Sequence, residues 1–137
     1  MITEILSGIW IGNIEDSYHM DFYKDNKISI MINCTNDVPF LDIPNTQKIK
    51  IPLSIYLDPK RDIPLLQKNM KQIISFIHTH KETDHIFIYG HTHYTIPSLI
   101  VGVYMITQGD ISPSMIVDII MSKNKDVIID MDIKQFI

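Results

Sequence analysis

The fold of this chain is decided by residues 85–107, which read HIFIYGHTHYTIPSLIVGVYMIT. Residues 85–89 form a short, strongly apolar run rich in β-branched and aromatic side chains, which predicts a strand. Residues 97–107 are almost all apolar and predict a helix buried at the centre of the protein. A strand that enters a helix N-terminus through a tight loop can bind an anion with backbone N–H groups. The loop between the two is therefore the first candidate site.

Strand and helix signals alternate on both sides of this stretch, which indicates an α/β fold. We expect further strands at residues 5–8, 9–12, 28–34 and 48–51, and helices at residues 14–23, 62–77 and from residue 113 onward. Asp62 is a candidate N-cap, and Ser112 with Pro113 is a similar start signal, with the hydroxyl as cap. The length suits one domain that spans residues 1–137.

The composition excludes several classes of protein. The formal net charge is -4, whereas nonspecific binding to nucleic acid or anionic membranes needs a basic face. No run of about 18 apolar residues predicts a transmembrane helix, and the first residues do not resemble a signal peptide. The one cysteine, Cys34, rules out an internal disulfide and fits an intracellular, cytoplasmic setting. We therefore expect no nucleic-acid partner and no membrane partner.

The loop and its flanks resemble the signature region of the dual-specificity protein phosphatases. In that family an apolar strand is followed by His-Cys, five residues, Arg-Ser or Arg-Thr, and a helix. Aligned without gaps, Tyr89 falls at the family histidine and Gly90 at the nucleophilic cysteine. His93 falls at the loop glycine, Ile96 at the phosphate-binding arginine, and Pro97 at the serine or threonine that follows.

The resemblance covers nearly the whole chain. The family's opening strand and turn resemble residues 5–13, and its next strand resembles residues 28–35. The segment before its general-acid loop resembles residues 51–53, and its late helix resembles residues 115–123. Poxvirus-encoded phosphatases and the STYX-type pseudophosphatases are the most similar groups, which implies a virus-encoded protein. The resemblance implies the compact protein tyrosine phosphatase-like fold of the dual-specificity type, a central mixed sheet flanked by helices.

The chemistry of that family requires groups that this chain lacks. Hydrolysis uses a cysteine thiolate and a guanidinium that holds the phosphoryl oxygens. Gly90 has no side chain to attack with, and Ile96 cannot pair with an anion. The chain's one arginine is Arg61, and nothing in the sequence forms an alternative Cys-x5-Arg motif with Cys34.

We therefore predict no catalytic residues and a degenerate phosphate loop. Its positions are Tyr89, Gly90, His91, Thr92, His93, Tyr94, Thr95, Ile96 and Pro97. The family's general acid has no clear counterpart, and the degenerate region there contains Ile55 and Asp58, of which Asp58 also suits a turn before Pro59.

Single residues add alternatives. His91 and His93 could suggest a metal site with Tyr94 or His85, but without a carboxylate or thiol partner we interpret them as unliganded. We expect no metal and no cofactor. Cys34 is expected in the core, and Tyr89 and Tyr94 could line the floor of the former pocket.

The leading hypothesis is a catalytically inactive pseudophosphatase that acts as a protein-interaction module. The partner would be a phosphoprotein or a protein that also binds active phosphatases. One alternative is a phosphate-dependent phosphopeptide-binding module that uses residues 90–97. Another is a structural protein that self-associates, and the sequence leaves the oligomeric state open.

Overall fold

The structure is a computed structural model that describes all 137 residues, apart from the side chain of Thr92. Its five strands are β1 (Thr3–Leu6), β2 (Ile9–Asn13), β3 (Ile30–Asn33), β4 (Gln47–Lys50) and β5 (Ile86–Gly90). Its four α-helices are α1 (Met20–Asp25), α2 (Asp62–His80), α3 (Thr95–Gly109) and α4 (Pro113–Lys123). Short 3-10 turns lie at Asp16–Tyr18, Thr92–Tyr94 and Ile133–Phe136.

The strands form one mixed sheet in the order β1-β2-β5-β3-β4. β1 pairs antiparallel with β2, and the other neighbours are parallel. β5 lies in the middle, with Ile88 paired with Ile11 on β2 and with Ile32 on β3. The central position explains the apolar sequence of β5, because a strand covered on both faces must be apolar on both.

The two faces of the sheet carry separate hydrophobic clusters. Ile86 and Ile88 of β5 join the larger cluster, which also holds the buried faces of α2, α3 and α4. Phe87 and Tyr89 point the other way and pack with Tyr23 of α1. This alternation follows from the two-residue period of a strand. The expected mixed sheet flanked by helices is thus confirmed.

α3 is the central helix of the larger cluster. Residues 96–105 are all buried, as the apolar sequence predicted. Gly102 lets α4 and the C-terminal turn approach, since a Cβ there would lie 2.8 Å from Ile116 Cγ2 and 2.8 Å from Ile133 Cδ1. None of the helices in the described chain combines the length and apolar character that a membrane span requires.

Three expectations about helix starts were wrong. The helix expected at residues 14–23 is split, because Asn13 and Asp16 exchange hydrogen bonds (2.9 Å each) that close a tight turn, and α1 begins only at Met20. Asp62 is the first helical residue of α2 and not its N-cap. The Ser112 hydroxyl does not cap α4, since it lies 3.0 Å from the Ser114 hydroxyl instead.

Candidate functional site

The predicted strand, loop and helix are present at the centre of the molecule. β5 ends at Gly90 and α3 begins at Thr95, so four residues connect the carboxyl end of the central strand to a helix N-terminus. Ligands of open α/β sheets bind outside the carboxyl ends of the strands. The loop therefore lies where the fold places a binding site.

The loop backbone keeps a left-handed turn without a glycine. His93 has φ 61° and Tyr94 has φ 57°, and a non-glycine residue in this region costs roughly 1–2 kcal/mol. Two hydrogen bonds tie the loop to the segment after α4: Ile128 N–H donates to the His93 carbonyl (3.1 Å), and the Thr95 hydroxyl donates to the Ile128 carbonyl (2.6 Å). The resemblance assigns His93 to the family's loop glycine, and a positive φ is the conformation that glycine adopts at the least cost.

Gly90 is enclosed by two neighbours. A Cβ placed on it would lie 3.4 Å from Cys34 Cβ and 3.4 Å from Pro97 Cδ. These contacts are tight but not prohibitive, and the backbone at Gly90 is not left-handed. A small side chain at this position would therefore lie directly against Cys34 and Pro97.

A cleft of about 510 Å³ opens beside the loop. Ile96 is 8% exposed and Cys34 is 1% exposed, so both line its inner part, whereas Tyr56 is 89% exposed. Its lining is mainly apolar and consists of Cys34, Leu53, Ser54, Ile55, Tyr56, Leu57, His91, His93, Thr95, Ile96, Ile128 and Asp130.

The charges at the cleft do not favour an anion. No lysine or arginine occurs among its described lining residues, and Asp130 contributes a carboxylate. His91 Nε2 lies 3.1 Å from the Asp37 carboxylate, which engages one of the two histidines. A doubly charged phosphate would thus lose its hydration without gaining a fixed positive charge.

The chain's single guanidinium is engaged outside the cleft. Arg61 Nη1 contacts the carboxylate of Asp62 and the hydroxyl of Ser54 (3.2 Å), and Nη2 donates to the Pro52 carbonyl (3.1 Å). Arg61 is not part of the cleft lining. Moving it to the cleft would break these contacts and leave the buried Asp62 carboxylate without its charge partner.

Asp62 organises the loop that forms one wall of the cleft. Its side chain is 0% exposed and accepts the N–H groups of Asp58 (2.7 Å) and Ser54 (3.3 Å). Burial opposes ionisation, but these hydrogen bonds and the one from Arg61 hold the pKa of Asp62 below its usual value. The carboxylate therefore holds residues 54–58 against the start of α2.

The two residues predicted for the degenerate general-acid region have different positions. Ile55 lines the cleft and Asp58 does not. The Asp58 carboxylate accepts the N–H of Lys60 (2.9 Å), which is the turn arrangement that the sequence allowed as an alternative.

Cys34 is in the core, as predicted. The absence of water around it raises the pKa of the thiol well above its usual value. The group is therefore a protonated thiol at neutral pH, although it reaches the wall of the cleft.

The two tyrosines do not form the floor of the cleft, and that expectation was wrong. The Tyr89 ring stacks on Phe87 (centroids 5.3 Å apart) on the opposite face of the sheet, because residue 89 alternates with Ile88 along β5. Burial raises the pKa of Tyr89, and its hydroxyl makes no hydrogen bond with the described residues. Tyr94 is buried in the larger cluster instead.

The residues considered for a metal site do not converge at the loop. His85, a candidate third ligand, lies at the far end of β5, where its Nδ1 is 2.7 Å from the Asn26 carbonyl. Among the described side chains, no three His, Cys, Asp or Glu residues converge closely enough to hold a metal ion. The side chain of Thr92, which was also predicted for the loop, lies outside what the structure describes.

Several lining residues were missed by the sequence reasoning. Ser54, Tyr56 and Leu57 follow the Ile-Pro-Leu segment at residues 51–53, and that proximity could have pointed to them. Ile128 and Asp130 carry no sequence signal, because only the hydrogen bonds to the loop bring their segment to the cleft.

Comparisons with known proteins support the fold. No family model matches the chain, and no curated protein matches it by sequence. The structure is similar to a mouse putative dual specificity phosphatase crystallised with zinc tungstate (TM-score 0.80, 12% identity, 98% of this chain and 83% of that chain). It is similar to human DUSP28 (TM-score 0.80, 11% identity, 98% and 89%).

A third similar structure is the human tyrosine phosphatase-like serine/threonine/tyrosine-interacting protein (TM-score 0.68, 9% identity, 98% of this chain and 92% of that chain). Sequence identities this low are evidence for a shared fold alone. The chain thus has the protein tyrosine phosphatase fold of the compact dual-specificity type.

Proposed function

We propose that this protein is a pseudophosphatase, a phosphatase scaffold that hydrolyses nothing and acts by binding a protein partner at the cleft. One observation carries the proposal: Gly90 and Ile96 stand at the positions that the resemblance assigns to the nucleophile and to the phosphate-binding arginine. Hydrolysis in this family needs both groups at the mouth of the helix. A glycine and an isoleucine supply neither.

Neither the chain's cysteine nor its arginine can take over these roles. The Cys34 thiol is buried, and its raised pKa keeps it protonated at neutral pH. Arg61 is bound to Asp62, Ser54 and Pro52. A protonated thiol and a guanidinium held elsewhere cannot cooperate on one phosphoryl group.

The cleft is better suited to an apolar side chain than to a phosphate. Its inner surface is formed by Ile96, Leu53 and Cys34, and Ile55 and Tyr56 leave apolar surface exposed at its rim. Pockets that take an anchoring side chain of a partner have this combination of apolar interior and partly polar rim. One of the similar structures is that of a tyrosine phosphatase-like protein named as an interacting protein, which agrees with a binding role for this fold.

The first experiment measures hydrolysis of a small aryl phosphate. We expect no turnover above buffer from the wild-type protein at any pH between 5 and 8. A rate that follows the protein through purification and disappears in Gly90→Ala or Asp58→Asn would refute the proposal. The two variants separate a real activity from a contaminating phosphatase, because a contaminant would be unaffected by them.

The alternative is a phosphate-dependent binding module. It is favoured by the 15-residue helix α3, whose N-terminus still begins at the loop, and by the left-handed backbone at residues 93–94. Calorimetry with phosphotyrosine and phosphothreonine peptides, each beside its unphosphorylated form, separates the two. The pseudophosphatase proposal expects millimolar or no phosphate-dependent affinity. A preference of tenfold or more for a phosphorylated peptide would support the alternative.

Ile96→Arg is the matched variant for that titration. An arginine at this position restores a guanidinium at the loop, and charge-assisted contacts to phosphate are the strongest that the family uses. We therefore expect Ile96→Arg to gain phosphopeptide affinity relative to wild type. A wild type that already binds as tightly as Ile96→Arg would argue against a degraded phosphate site.

The partner and the setting stay predictions. The candidates for the partner are a phosphoprotein that is shielded and a protein that also binds active phosphatases. The single, buried cysteine supports the intracellular, cytoplasmic setting. The viral origin rests on the resemblance alone. Self-association, the third hypothesis, is tested by light scattering across a concentration series.

A further inference from the structure

A second groove lies between the edge strand β4 and helix α2, and it shares no lining residue with the cleft. It encloses about 430 Å³. Its apolar lining includes Ile49 on the strand and Leu65 and Phe76 on the helix, all three of which are partly exposed. An apolar groove beside a strand can hold alternate side chains of an added strand.

The outer edge of β4 has backbone groups without a strand partner. β4 is the last strand of the sheet and pairs only with β3. The N–H groups of Gln47 and Ile51 donate to the Ser29 and Asn33 carbonyls on the β3 side (2.8 Å each). Because neighbouring residues of a strand point their backbone groups to opposite sides, the N–H and C=O groups of Lys48 and Lys50 face outward. Such an edge is a template for another strand.

The segment that forms most of the groove is basic although the whole chain is acidic. Residues 43–81, which contain β4 and α2, carry seven of the twelve Lys and Arg residues and only two of the sixteen Asp and Glu residues. One of those two acids, Asp62, is fully buried and paired with Arg61. No acidic residue is among the described residues that line the groove.

The positive charges lie along the exposed edge of β4. Lys48 and Lys50 are exposed and alternate with Ile49, so their side chains leave the strand on the face opposite to the one that carries Ile49. Two such edges from two copies of this chain would repel each other, whereas an acidic strand would be attracted. Charge complementarity therefore selects an acidic partner over a second copy.

We propose that the groove between β4 and α2 binds an extended, acidic segment of a partner protein that adds to β4 as a sixth strand. Backbone hydrogen bonds to Lys48 and Lys50 hold the segment. Alternate apolar side chains enter the groove at Ile49 and Phe76, and the acidic side chains, on the other face of the added strand, lie beside Lys48 and Lys50. This surface is separate from the cleft, so the proposal does not depend on the function assigned there.

The test uses a fluorescein-labelled heptapeptide of sequence DVEVDVE and measures fluorescence anisotropy at 25 mM and 300 mM salt. We expect saturable binding at low salt that weakens at least fivefold at high salt, because exposed charge pairs are screened. The basic peptide KVKVKVK should not bind. The same acidic peptide N-methylated at every residue should bind at least tenfold more weakly, because neither of its edges can then donate to β4.

Three variants locate the surface. Lys48→Glu with Lys50→Glu, and separately Phe76→Glu in the groove lining, should each weaken binding of the acidic peptide at least tenfold. Lys123→Glu with Lys125→Glu is the matched control, since it changes the net charge by the same amount away from the groove, and it should change affinity less than twofold. Thermal melting verifies that each variant is folded, and two independent groove variants protect the test against one that is not.

Amide chemical shifts of the isotope-labelled protein supply the position directly. We expect the peptide to shift the amides of residues 47–51 and of the facing part of α2, and to leave residues 90–97 unchanged. The proposal is refuted by absence of binding, by an equal loss in the control variant, or by shifts confined to the cleft. It is also refuted if vesicles of anionic phosphatidylserine bind through the same lysines and the peptide does not.

Discussion

Substituting Gly90 by cysteine tests the geometry of the site most directly. The substitution is the obvious first step towards reviving a phosphatase, but the structure predicts a different outcome. The new Cβ would lie 3.4 Å from Cys34 Cβ, close to the separation of about 3.5–4.5 Å found in disulfides. The two residues also lie on adjacent backbone segments, since Cys34 N–H donates to the Tyr89 carbonyl (2.8 Å). We expect a disulfide between positions 34 and 90.

The size of the effect follows from the length of the loop that the bond would close. Positions 34 and 90 enclose about 57 residues, for which the chain-entropy relation gives about 4 kcal/mol of stabilisation. The short Cβ separation implies some strain, so we expect about 3 kcal/mol in practice. For a chain of 137 residues this corresponds to a rise in Tm of about 10 °C.

The assay compares oxidised and reduced Gly90→Cys protein. Thiol titration in denaturant should find no free thiol after mild oxidation and two after reduction, and the gain in Tm should disappear on reduction. Gly90→Ser controls for the side chain alone, and Gly90→Cys with Cys34→Ser removes the partner thiol. Two titratable thiols after oxidation would refute the contact between positions 34 and 90.

Three further predictions concern stability. Asp62→Ala should lower the free energy of unfolding, measured by urea denaturation, by about 2–5 kcal/mol, because it leaves two N–H groups of the cleft wall without their acceptor. A loss below about 1 kcal/mol would contradict that role of Asp62. The pKa of Asp62 is lower in the folded state, so the carboxylate should contribute its full stabilisation above the unfolded-state pKa near 3.9 and lose it as the pH falls through the folded-state pKa. Asp62→Asn should therefore flatten the dependence of the free energy of unfolding on pH in acid, and an unchanged dependence would count against this role. Gly102→Ala should destabilise the protein by about 1–3 kcal/mol, because the new Cβ would overlap Ile116 and Ile133. Gly109→Ala is the control: its Cβ would meet nothing nearer than 3.7 Å, so its Tm should equal or exceed that of the wild type. Equal Tm values for the two variants would contradict the close packing of α3 at Gly102.

The sequence alone was sufficient for the central motif. The apolar runs before and after residues 90–96 predicted a strand and a buried helix, and the structure has both as β5 and α3. Long, uniformly apolar segments are readable because few structures other than a core can bury them. The identity of the residues at positions 90 and 96, and the single cysteine and arginine, are likewise properties of the sequence.

Tertiary structure decided which side chains meet at the cleft. The sequence could not show that Tyr89 faces away from the cleft. The two-residue period of a strand predicts that neighbouring side chains alternate between the two faces of the sheet, but not which face lies on the side of the cleft. Nor could it show that Arg61 is engaged by Asp62, or that residues 128–130 lie against the loop.

These features depend on contacts between segments far apart in the chain. Propensity and periodicity act over one or two turns of local structure, so they predict elements and their apolar faces. A cleft is formed by the ends of several elements, and its lining depends on how the whole sheet and its helices pack. Sequence therefore determined which chemical groups the protein has, and packing determined which of them share a site.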